Sequence, residues 1–99
     1  MKLIRSKKVE SFPPGETFKV RKISKEEFIL RVKEEIPNIF AEGVSLKDPE
    51  KFSDILEMIN NVCEIINIDW YECSKIKSSK RWSEGSYNCF MIAEKDQTD

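Results

Sequence analysis

Residues 48–66 constrain the fold more than any other stretch of the chain. Asp48 can cap a helix with its carboxylate, and Pro49 suits the first helical position, where its missing N–H costs nothing. Phe52, Ile55, Leu56, Ile59, Val62, Cys63 and Ile66 follow at intervals of three and one, giving one apolar stripe. Glu50, Asp54, Glu57, Asn61 and Glu64 recur every three or four residues on another face. A stripe this long needs a broad packing partner, which a homodimeric helical bundle would supply.

Two further helices follow from local signals. Ser24-Lys25-Glu26-Glu27 is a capping box, and the helix it opens carries Phe28, Ile29, Val32 and Ile36 at helical spacing. Pro37 removes a backbone donor and crowds the preceding turn, so this helix is expected to end or kink at Glu35–Ile36. Asp69 caps a third helix that runs to about Arg81, with Trp70, Tyr71, Cys73 and Ile76 as its apolar contacts.

The flanks suggest strands. Residues 17–23 alternate apolar and basic side chains after the Pro13-Pro14-Gly15 turn, and residues 87–93 are aromatic and β-branched enough to pair with them. Two strands alone are marginal and must pack on helices. The expected fold is mainly α: a small bundle of about three helices with a short two-stranded β element, packing as an oligomer. At 99 residues the chain makes a single domain, residues 1–99.

Composition narrows the chemistry. With no histidine, Ser-His-Asp and Cys-His catalysis, His-ligated zinc and the usual neutral-pH base are all excluded. No P-loop, GxGxxG or GxSxG motif occurs. Three cysteines without a CxxC pair fit thiols in a reducing compartment, and no apolar run approaches the ~20 residues of a membrane span. A soluble cytoplasmic protein with no membrane partner is expected. Residues 1–25 carry a net charge of +6, residues 26–72 a net −8, and residues 73–99 a net +1. The acidic middle argues against a nucleic-acid groove and for complementarity within the molecule.

Carboxylates on neighbouring helices are the one vocabulary for a metal. Glu34 and Glu35 close the first helix, while Asp54 and Glu57 share a face of the second. Such groups can hold Mg²⁺ with waters and substrate phosphates, or simply form a solvated face. Lys75, Lys77, Lys80 and Arg81 close the third helix, where cations suit the dipole and can also contact phosphates. Trp82 and Tyr87 flank this basic turn and could stack on a base or serve as core.

In chain order these pieces resemble small MazG-like, phosphoribosyl-ATP pyrophosphohydrolase-like proteins. Lys2-Leu3-Ile4-Arg5-Ser6-Lys7 looks like their KLVRDKI opening, and Ser24-Lys25-Glu26-Glu27-Phe28 like their helix start. Residues 31–38, RVKEEIPN, match KLxEExxE, and residues 50–57, EKFSDILE, match EExxDxxE. Lys77 to Arg81 and Gly85-Ser86-Tyr87 stand at the closing K…RGxF segment, so the likeness covers nearly the whole chain.

The resemblance implies an oligomeric all-α fold and a Mg²⁺-dependent nucleoside triphosphate pyrophosphohydrolase, a hydrolase releasing pyrophosphate and a monophosphate. It implies Glu35 and Asp54 as catalytic, with Glu34, Glu35, Asn38, Asp54 and Glu57 as the metal set. It implies Arg5, Lys7, Lys77, Lys80, Arg81 and Tyr87 as phosphate or nucleotide contacts. Departures fall at the chemistry. Asn38 and Lys51 stand where the family has glutamates, Pro37 interrupts the first motif, and Ser6 and Glu84 replace an aspartate and an arginine. A cation at ~4 Å from a cation costs several kcal/mol at an effective dielectric near 20.

The expected role is therefore a MazG-fold protein with degraded catalytic motifs: a non-catalytic module that binds a nucleotide or a partner protein, as a homodimer or higher homo-oligomer. The alternative is an active Mg²⁺-dependent pyrophosphohydrolase, with Glu50 or Glu57 compensating. A third reading is a small helical interaction protein whose motif order is coincidental. Lys51 separates the first two: directed at the carboxylates, it takes the metal's place.

Overall fold

The computed structural model describes residues 2–7 and 20–96. Three helices follow in order: α1 (Lys25–Leu46), α2 (Pro49–Ile65) and α3 (Trp70–Glu84). The chain divides into two compact units, Met1–Asn67 and Ile68–Asp99. None of the helices is long and apolar enough to cross a membrane, among the described residues.

Each helix begins where a short polar side chain meets the orphan N–H groups of a first turn. Ser24 Oγ accepts from Glu27 N–H at 3.0 Å, Asp48 Oδ1 from Glu50 N–H at 2.9 Å, and Asp69 Oδ1 from Tyr71 N–H at 2.9 Å. Pro49 occupies the first position of α2. The Glu27 carboxylate pairs with Arg21 Nη1 at 3.3 Å.

The first unit is a helical hairpin. Lys47 enters the left-handed region at φ 51° and closes α1, and Asp48 N–H reaches back to the Gly43 carbonyl at 3.1 Å. This reversal lays α2 against α1. Their close approach centres on Gly43, which is buried; a Cβ there would stand 3.0 Å from Phe52 Cε2 and 3.2 Å from Lys51 Cβ. Beside it, Phe40 and Phe52 meet edge to face with centroids 5.9 Å apart. Among the described residues, only Val32, at 5% exposure, and Ile55, at 9%, form a buried apolar core.

Two expectations are corrected. Helix α1 does not end at Glu35–Ile36 but runs through Pro37 to Leu46. Pro37 is exposed, so the carbonyl it leaves without a partner can face water. Val32 before it and Gly43 after it are both buried, which ties the two halves of the helix down. The short β element is also not found among the described residues: residues 20–23 and 87–93 contain no strand, while residues 17–19 lie outside them. Local polar groups capture the second segment instead. Asn88 N–H donates to Ser86 Oγ at 3.3 Å, and Phe90 N–H donates to the Tyr87 carbonyl at 3.1 Å. Phe90 then sits at φ 56°, which no strand can accommodate.

In the second unit, α3 stops at Gly85, whose φ of 87° suits glycine, and Gly85 N–H donates to the Arg81 carbonyl at 3.1 Å. Lys75 Nζ lies 4.7 Å from the Tyr71 ring centroid, a cation–π contact one turn apart. No residue of α3 is buried.

Candidate functional site

Several acidic positions of α1 and α2 are met by cations and donors from the same unit. Residues 2–7 provide two of these contacts. Leu3 N–H donates to Glu35 Oε1 at 2.9 Å, across 32 residues of chain. Arg5 places both Nη2, at 2.8 Å, and Nε, at 3.2 Å, on Asp54 Oδ1. Residues 3 and 5 are two apart, so their Cα atoms lie no more than about 7 Å from one another. Glu35 on α1 and Asp54 on α2 are thus both engaged by one short segment. The Asp54 hydrogen bond, and then the Asp54 and Glu57 charges, hold the Arg5 guanidinium even more firmly protonated than usual. The cation is permanent at any pH at which the chain is folded.

The remaining candidates divide. Glu57 accepts from Asn61 Nδ2 at 3.3 Å, one turn along α2. Glu34 is exposed and pairs with Arg31 Nη1 at 3.8 Å on its own helix, outside this arrangement. Asn38 is exposed on α1. Lys51 is directed across the hairpin: its Nζ meets Glu42 Oε2 at 3.3 Å. Asn38 and Glu42 are four apart and share a face of α1. The lysine thus carries its charge to the Asn38 flank, onto a carboxylate that the motif reading missed.

The fit to Mg²⁺ is poor. A hard divalent ion needs several oxygens converging on one point. Among the described residues no three His, Cys, Asp or Glu side chains are arranged to hold a metal ion. Asp54 instead accepts from a guanidinium, and Lys51 projects an ammonium between the helices. The chemistry this arrangement offers is recognition of positive charge and N–H donors.

Of the six phosphate candidates, Arg5 is engaged by Asp54, while Lys7 is exposed at the end of the N-terminal segment. Lys77, Lys80, Arg81 and Tyr87 belong to the second unit and are all exposed. The spacing of Lys77, Lys80 and Arg81 sets them on one exposed, basic face of α3. Tyr87, at 97% exposure, makes no stacking wall with them.

The Leu3 and Arg5 contacts were the features that motif reading did not anticipate. Their signal was present in the charge distribution, basic before residue 25 and acidic after it. No family model, curated protein or solved structure matches the chain.

Proposed function

We propose that this chain is a MazG-like helical domain that works by binding, of a nucleotide or a partner protein, and not by hydrolysis. The observation that carries this reading is the Arg5–Asp54 pair at 2.8 Å. In the pyrophosphohydrolases that the sequence resembles, the aspartate of this motif serves Mg²⁺. Here a guanidinium from the chain itself meets that need, and Lys51 brings a second cation where the motif has a glutamate. Metal-assisted attack of water on a triphosphate requires the carboxylates for the ion, and Arg5 competes with it at Asp54.

The same reading includes a homodimer in the cytoplasm. Phe40 and Val44 lie one turn apart on α1, Phe52 and Leu56 one turn apart on α2, and the Phe40–Phe52 contact joins the two pairs. Three of the four are more than half exposed, a continuous apolar flank that a second hairpin can cover.

Calorimetry with Mg²⁺ and a panel of nucleoside triphosphates tests the proposal. Mg²⁺ alone is expected to give no heat of binding up to millimolar concentration. Saturable Mg²⁺ binding that disappears in Asp54→Ala would overturn it.

A further inference from the structure

The N-terminal segment lies on the acidic edge of the hairpin, in contact with Glu35 and Asp54. Three features of residues 2–7 are read at once. A main-chain N–H meets Glu35, the side chain of the residue two positions on meets Asp54, and Leu3 is half-buried. Residues 2–5 are neither helix nor strand, and residues 6–7 make a single 3₁₀ turn, so these contacts come from a short irregular segment. Glu57 adds its charge to the same guanidinium. The contacts are exchangeable: Arg5 and Asp54 remain 51% and 42% exposed in their side chains, and such pairs are screened by salt.

We propose that Glu35 and Asp54 form a receptor edge for a short, arginine-bearing segment of a partner protein, and that residues 2–7 are its tethered occupant. The N-terminal segment is then an internal competitor: the partner's segment binds by displacing it. This inference rests on the reading of the hairpin as a binding module and names the chemistry of its partner. A tethered end acts at an effective concentration of millimolar order. A free peptide must therefore outcompete it, and a chain that cannot dock its own segment binds the free peptide more tightly.

The probe is a fluorescein-labelled peptide with the sequence of residues 2–7, KLIRSK, followed by fluorescence anisotropy against the full-length chain. Arg5→Glu, which cannot dock its own segment, is expected to bind the peptide at least about tenfold more tightly than the unaltered chain. Leu3→Pro, which deletes the N–H donor, should show a gain in the same direction. Adding Asp54→Asn to Arg5→Glu should abolish binding, and 0.5 M salt should weaken it.

Far-ultraviolet circular dichroism shows whether each variant keeps its helices. If Arg5→Glu unfolds, Leu3→Pro decides the question. Equal affinity in the unaltered and variant chains, or no binding to a helical variant, overturns the proposal. So does peptide binding that splits a dimer by light scattering, which would assign the segment to a second copy. Loss of this inference leaves the binding reading intact, whereas pyrophosphate release from a nucleotide would remove that reading itself.

Discussion

Replacing Gly43 by alanine tests the close packing of α1 on α2, and the sign of its effect comes from the structure. In an open helix the change stabilises by about 1 kcal/mol, because glycine loses the most backbone freedom. At this position the new Cβ would stand 3.0 Å from Phe52 Cε2, 3.2 Å from Phe52 Cζ and 3.2 Å from Lys51 Cβ. Carbon atoms prefer separations of roughly 3.5–4.0 Å, so each contact is short by several tenths of an ångström. The Phe52 ring, which is 37% exposed, can swing outward. Lys51 Cβ is fixed to the α2 backbone and cannot, so the helices must part locally. Overpacking of this kind costs about 1–3 kcal/mol. Set against the propensity gain, the net is a loss of about 1 kcal/mol. Urea denaturation followed at 222 nm should show a lower midpoint with an unchanged slope. A stabilisation by the whole of the helix-propensity term would refute the close approach of the two helices.

Other perturbations probe separate parts of the account. Pro37→Ala should stabilise α1 by about 1–3 kcal/mol, because the residue is exposed and the restored N–H can complete the helical ladder; an unchanged urea midpoint would contradict a continuous α1. Ile55→Ala removes one of the two buried apolar side chains among the described residues and should cost about 2 kcal/mol, at the low end of its class because a thin hairpin can relax. A loss below about 0.5 kcal/mol in the same urea experiment would deny Ile55 its place in the core. Leu56→Glu should leave the helices formed and convert a dimer to a monomer in sedimentation equilibrium; a dimer that persists would clear the Phe40–Leu56 flank of that role.

Much of the architecture was legible because it is written in neighbouring residues. Ser24, Asp48 and Asp69 each cap a helix through a bond to an N–H two or three residues on, a contact that sequence alone can anticipate. Pro37 misled for the converse reason. Its local penalty is real, but burial at Val32 and Gly43 on either side decides the outcome, and burial depends on a helix not yet placed. Residues 87–93 carry a strand's composition, yet the bonds through Ser86 and Asn88 and the left-handed Phe90 fold them locally.

The site divides along the same line. Motif order picked out Glu35 and Asp54, and both do lie under one short segment. What engages them was hidden, because Leu3 and Arg5 meet them across 32 and 49 residues of chain. Lys51 was identified as the discriminating residue, whereas its partner Glu42 belongs to no motif and follows only from the register of the hairpin.

On the proposed binding reading, Arg5 occupies the Asp54 carboxylate that a catalytic metal would need. Pyrophosphate release in millimolar Mg²⁺, measured over the four common ribonucleoside triphosphates and their deoxy counterparts, tests it most directly. The account predicts no release above the background of an Asp54→Ala chain. Turnover by the unaltered chain that is lost in Asp54→Ala would contradict it.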